Sequence, residues 1–88
     1  MLDFVKAPCA ERIAGIVADV LSRRGVQGPV PAEAELARFG LTSIDMVEVM
    51  LGVEAEFDLA IPPGDISLEN FRSVAAIARL VGRLSPEA

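Results

Sequence analysis

Histidine, tryptophan and tyrosine are all missing from this 88-residue chain, and Cys9 is its one cysteine. Without an imidazole, no serine or cysteine here has the general base that nucleophilic hydrolysis uses, so neither a Ser-His-Asp nor a Cys-His arrangement can be assembled. Metal sites fail on the same count, since one thiol, no imidazole and no EF-hand spacing of Asp and Gly leave no ligand set. A lone cysteine excludes an internal disulfide and suits a reducing compartment; Cys9 is expected to pack without a role. The lack of Tyr and Trp removes the commonest polar aromatics of a small-molecule pocket. Long apolar runs are missing as well. No stretch approaches the roughly 18 residues of a membrane span, and the opening MLDFVKAPCAERI does not read as a signal peptide. These exclusions leave a cytoplasmic, soluble, non-catalytic protein as the expectation, with no metal and no membrane partner.

Bases are scarce in the middle of the chain. The net charge is −5, yet between Glu33 and Glu69 nine acidic residues stand against the single base Arg38, while the remainder is net positive by three. Such a field repels phosphate backbones and anionic lipid and attracts basic protein patches, so nucleic acid is excluded as a partner. Charge runs are more often just solvated faces. The apolar residues set among these carboxylates favour recognition.

The stretch FGLTSIDMVEVMLGVEAEFDLAI, Phe39 to Ile61, carries the strongest pattern. Met46, Val49, Met50, Val53 and Phe57 follow the i, i+3, i+4, i+7 spacing of a core-facing helical stripe. The opposite arc presents Ile44, Glu48, Leu51 and Ala55, flanked by Asp45, Glu54 and Asp58, which is an apolar strip framed by acid. Gly40 suits the turn, and Thr42 is a good N-cap that makes Ser43 the first helical residue. A hydroxyl there stands at the positive end of the helix dipole, where an attached phosphate is favoured. A Thr-Ser pair before a helix is more often only a cap. The conjunction of Gly40, Ser43, Ile44, Asp45, Glu48, Phe57, Ile61 and Pro62 in one acidic chain argues for more.

Those residues resemble the phosphopantetheine attachment site of the acyl carrier proteins and their aminoacyl and peptidyl relatives, whose pattern is Gly-x-Asp-Ser-Leu, an acidic helix, a Phe and Ile-Pro. The resemblance extends over most of the chain. One departure is Thr42 in place of the usual Asp, which keeps the cap and drops a carboxylate. The resemblance implies a 4'-phosphopantetheine arm on Ser43, placed there by a phosphopantetheinyl transferase from coenzyme A, with cargo held as a thioester on the arm's thiol. It also implies a cargo-loading ligase or acyltransferase, and downstream enzymes whose basic docking patches meet Ile44, Asp45, Val47, Glu48, Leu51 and Glu54. Fatty acyl, polyketide and aminoacyl cargo all stay open.

Taken in order, Met1 to Pro8 reads as a lead into a first helix from about Cys9 to Arg24, with Ile13, Ile16, Val17, Val20 and Leu21 as its stripe and Gly25 as its stop. Val26 to Thr42 reads as a long loop, pinned by Leu36, Phe39 and Leu41, with a helical turn within 32–38. After the second helix ends near Asp58, IPPGD steps into a turn, and Asp65 or Ser67 caps a short third helix through Asn70. A fourth helix runs from about Phe71 or Ser73 to Leu84, after which the end frays. The expected architecture is all-α: one monomeric domain spanning 1–88, a small four-helix bundle of the acyl-carrier type with a long first loop and a short third helix. Two other classes compete with the carrier reading. One is an unmodified helical interaction module of the same fold; the other is a helix-turn-helix DNA binder, which the acidic would-be recognition helix disfavours.

Overall fold

The computed structural model describes residues 9–85. The expected lead Met1 to Pro8, the signal-peptide reading of that end and the last three residues lie outside the described residues. Three α-helices form: α1 over Cys9–Ser22, α2 over Ser43–Phe57 and α3 over Val74–Leu84, with short 3-10 turns at Leu36–Phe39 and Pro63–Asp65. Helix α1 packs against both α2 and α3. Its buried face is Ile13, Val17, Val20 and Leu21, that of α3 is Val74, Ile77, Leu80 and Val81, and α2 adds Val49 and Val53. Each such side chain removed from water stabilises the fold by roughly 1.5–3 kcal/mol.

The ends of the helices follow from their sequences. Helix α1 closes on Gly25, whose φ of 83° is the left-handed conformation glycine adopts without steric cost. The amides of Gly25 and Val26 then return to the carbonyls of Ser22 and Leu21 at 3.0 and 3.1 Å, satisfying the last turn. Helix α2 ends on Asp58, also left-handed at φ 53°, and the Glu54 carboxylate accepts from the Ile61 amide at 2.8 Å, tying the helix to the Ile-Pro-Pro step. Ser73 caps α3 by accepting from the Ala76 amide at 3.0 Å.

The long loop from Val26 to Thr42 is held at two depths. Leu36 is fully buried, with Phe39 and Leu41 packed more shallowly on the core. The Leu36 amide donates to the Arg72 carbonyl and the Ala75 amide donates to the Ala32 carbonyl, both at 2.8 Å, so the loop is stitched to the start of α3. That stitching fixes where the following turn delivers Ser43.

The expected short third helix is not there: among the described residues, the segment 66–73 makes turns, and the helix expected as the fourth, Val74–Leu84, is the third and last. Ser67 does cap a turn, accepting from the Asn70 amide on its hydroxyl at 3.2 Å while its carbonyl takes the Phe71 amide. The turn does not propagate because its apolar residues have nothing to bury against, Ile66 and Leu68 being exposed. Phe71, offered as a possible first residue of the last helix, is buried just ahead of it. The last helix runs through Leu84, the end expected of it.

Candidate functional site

Gly40, at φ 90°, turns the chain out of the 3-10 segment, and Thr42, in an extended conformation, starts α2. The Thr42 hydroxyl accepts from the Asp45 amide at 3.2 Å, and the Asp45 carboxylate accepts from the Thr42 amide at 2.9 Å. This reciprocal capping box satisfies two of the donors that a helix start leaves without an acceptor. The amides of Ser43 and Ile44, in the first turn, have no intrahelical acceptor and lie at the positive end of the helix, next to the exposed Ser43 side chain.

Asp45 is not on the outer face expected of it. Only 7% exposed, it turns inward, where Arg24 from the end of α1 pairs with it through Nε and also reaches the Thr42 hydroxyl at 3.4 Å. The backbone hydrogen bond from Thr42, together with those from the Arg24 guanidinium and the Thr42 hydroxyl, holds the Asp45 carboxyl below its ordinary value of 3.8. The capping box draws the carboxylate back onto the Thr42 amide, and there Arg24 from α1 covers it. Cys9 is partly buried and its thiol is pushed up from its ordinary 9.0 by that burial, so less of it is the reactive thiolate.

The remaining expected contact residues separate into two sets. Ile44, Val47 and Leu51 point to solvent at 75, 49 and 54% exposure. Glu48 is paired with Arg23 at 3.2 Å and Glu54 is taken by the Ile61 amide. Farther along α2, Glu56 pairs with Arg12 at 2.8 Å, and the Arg12 guanidinium also lies 4.4 Å over the ring of Phe57. Phe57, expected in the core stripe, is thus a half-buried cover at the helix end.

Beside Ser43 runs a groove of about 590 Å³ between α2 and the segment 66–72. Met46 and Met50, expected in the core, form part of its wall with Val47, and Ile66, Leu68 and Phe71 face them from the other side. Methionine at these two places is the one signal the sequence carries for it, being the residue that fits adaptable surfaces rather than fixed cores. The partnership of Arg12, Arg23 and Arg24 with α2 has no local signal at all. A serine that is exposed, first in its helix and beside an apolar groove has room for a phosphodiester and a flexible arm. Among the described residues no group of three or more His, Cys, Asp and Glu gathers to bind a metal ion, and no helix is long and apolar enough to cross a membrane.

Comparison with known proteins agrees with this geometry. Residues 11–81 match the family model described as phosphopantetheine attachment site. Aminoacyl carrier protein 1 of Bradyrhizobium diazoefficiens is 47% identical over 70 residues, covering 80% of this chain and 78% of the relative. The aminoacyl carrier protein of Agrobacterium fabrum is 35% identical over 66 residues, covering 69% of this chain and 78% of its own length. Among solved structures, a chain in the crystal structure of Bradyrhizobium japonicum glycine:[carrier protein] ligase complexed with glycylated carrier protein is similar at a TM-score of 0.70 and 46% identity, over 82% of this chain and 97% of that one. With an exposed serine opening its central helix and the attachment-site model matched over residues 11–81, the chain belongs to the family of carrier proteins that bear a covalent 4'-phosphopantetheine arm.

Proposed function

We propose that Ser43 is the attachment residue and that this protein carries an aminoacyl group on the arm, presenting it to partner enzymes as a monomeric, cytoplasmic domain spanning residues 1–88. The observation that carries the reading is the exposed Ser43 at the first position of α2, behind a closed capping box and inside the span that matches the attachment-site family. The cargo follows from the relatives named aminoacyl carrier proteins and from the glycylated carrier in the similar structure.

The chain's own residues account for the anchoring. During transfer, the Ser43 oxygen forms a bond to phosphorus, the nucleotide portion of coenzyme A leaves, and the hydroxyl proton goes to a base of the phosphopantetheinyl transferase, since this chain has no histidine to take it. The unpaired amides and dipole at the start of α2 would favour the phosphodiester there by about 0.3–1 kcal/mol. Arg24 matters here because it offsets the Asp45 charge that would otherwise repel the phosphate from two residues away. When bound, the arm supplies a terminal thiol that holds cargo as a thioester. A cargo-loading ligase of the kind seen with the similar carrier is the proposed loading partner. Ile44, Val47 and Leu51 form the proposed docking face; Glu48 and Glu54 border it, and Asp45 supports it from beneath.

Intact mass after incubation with coenzyme A and a phosphopantetheinyl transferase tests the assignment. The wild-type chain is expected to gain one phosphopantetheinyl group and Ser43→Ala none. An unchanged wild-type mass would favour the alternative of an unmodified helical interaction module.

A further inference from the structure

We infer that the enzyme which loads the arm carries an acidic surface of its own and seats it on the outer face of α3, about Arg79 and Arg83. The inference rests on the carrier reading and adds to it a second area of contact, on a different helix from the one that Ser43 opens.

Helix α3, VAAIARLVGRL, has two bases and no acid. Val74, Ile77, Leu80 and Val81 turn into the core, which leaves Ala75, Arg79, Gly82 and Arg83 together on the opposite side of the helix. The arginines of α1 are placed differently. Arg12 is held by Glu56, Arg23 by Glu48 and Arg24 by Asp45. Among the described residues, neither Arg79 nor Arg83 pairs with a carboxylate. Arg83 donates to the Asn70 side-chain oxygen at 3.3 Å, a neutral acceptor that steadies the guanidinium and leaves its charge whole. A cation in the last turn, as Arg83 is, complements the helix dipole. Arg79 stands a turn earlier, where that effect has faded, so the dipole does not account for it.

Between the two arginines the backbone is bare. Gly82 is helical, without the positive φ that would call for glycine, and a Cβ on it would meet nothing within 4 Å. Neither conformation nor internal packing asks for glycine there, although it costs the helix up to about 1 kcal/mol against alanine. What the missing side chain does allow is close approach from outside, near enough for carboxylates to reach both guanidinium groups. Gly15 of α1 is open in the same way, but Arg12 and Arg23, which line the recess around it, already have carboxylates of their own.

The charge selects the kind of partner. Two arginines on a chain of net charge −5 are too few to hold a phosphate backbone or an anionic membrane, whose extended field also meets the acidic middle of the chain. A protein brings its carboxylates to one place, and the acidic middle repels the same surface elsewhere, which fixes how the partner sits. The segment 66–72 joins α3 to the serine: Asn70 accepts from Arg83, while Leu68, Glu69, Phe71 and Arg72 line the groove beside Ser43. A transferase works at the serine oxygen itself. A loading enzyme works at the far end of the arm, so its grip on the protein is displaced from Ser43 and α3 comes within reach.

The test compares wild type, Arg79→Glu and Gly82→Gln, each first modified by a phosphopantetheinyl transferase with coenzyme A and then loaded by glycine:[carrier protein] ligase with glycine and ATP. Arg79→Glu should raise the ligase's KM for the carrier about tenfold with kcat within about twofold, and added salt should lower kcat/KM more steeply for wild type than for the variant. Gly82→Gln should raise KM about threefold or more, although a side chain there favours the helix. The transferase reaction should stay within about twofold of wild type for both, and thermal unfolding should show neither variant destabilised. Loading of Arg79→Glu within about twofold of wild type, or an equal loss in the transferase reaction, would overturn the inference. A wild-type chain that takes the arm and is never glycylated would overturn it together with the aminoacyl cargo, whereas one that never takes the arm brings down the carrier reading itself.

Discussion

Two turns in this protein begin from the same part and end differently. Thr42 and Ser67 each put a side-chain hydroxyl over a backbone amide three residues on, at 3.2 Å in both cases. From Thr42 grows the 15-residue helix α2; from Ser67 the chain makes one turn and stops. The difference lies in the residues downstream of each cap. After Thr42, Val49 and Val53 go fully into the core with Met46 and Met50 packed beside them, whereas after Ser67 the next apolar residue, Leu68, faces water. A cap satisfies donors that a helix start leaves open, yet one satisfied donor does not offset the entropy of fixing further residues unless a buried face contributes as well.

The largest expected effect comes from removing the one residue that anchors the shorter turn. Phe71 is buried immediately after it, with its amide on the Ser67 carbonyl, so Phe71→Ala should cost about 3–5 kcal/mol in urea unfolding. A cost below about 1 kcal/mol would mean that the turn is held by its hydrogen bonds and not by Phe71.

The same contrast divides the features that sequence carries from those it does not. The cap at Thr42, the first helical position of Ser43, the glycine stop of α1 and the core face of α1 are local: each depends on a residue type at a fixed offset, and each is legible in sequence. The expectation of a helix after Ser67 rests on the same kind of cap, and its absence follows from burial, which no local offset reports. Asp45 and Arg24 lie 21 positions apart, so neither the inward turn of that carboxylate nor the pairing of α1 arginines with α2 can be read from periodicity. The exposed hydrocarbon of Ile44, Val47 and Leu51 is legible in the sequence, and the pairing of the α2 carboxylates is not.

A second, smaller effect probes how α2 is seated. A Cβ on Gly52 would stand 2.8 Å from the Cγ2 of Ile16, a methyl on the branched carbon of α1 that cannot swing away cheaply, whereas one on Gly15 would meet nothing within 4 Å. Overpacking of about 1–3 kcal/mol, set against a helix-propensity gain of up to about 1 kcal/mol, makes Gly52→Ala destabilising by up to about 2 kcal/mol. Gly15→Ala, with the gain and no clash, should stabilise by up to about 1 kcal/mol. The two alanines are therefore expected to shift the melting temperature in opposite directions. A shift of the same sign would show that α1 and α2 are not in close contact at Ile16.

Acid should separate the two turns with the smallest perturbation, the addition of a proton. The Asp45 carboxyl lies below its ordinary 3.8 in the folded protein because the Thr42 amide, with Arg24 and the Thr42 hydroxyl, favours its charged form. A carboxyl lowered in this way contributes stability that is fully present above its unfolded value and is lost as pH falls through the lowered folded one. Below about pH 4 the start of α2 should therefore loosen from α1. The Ser67 turn and the Ser73 cap, made by neutral hydroxyls, have no proton of their own to gain. Amide exchange followed down the pH scale, corrected for intrinsic rates, should show protection falling first at Asp45 and Met46 and later at Asn70 and Ala76. Asp45→Asn should abolish that order, because its stability relative to wild type converges as pH drops. If protection at both turns fell together in the wild type, the Asp45 charge would not be what fastens the Ser43 end of α2 to α1.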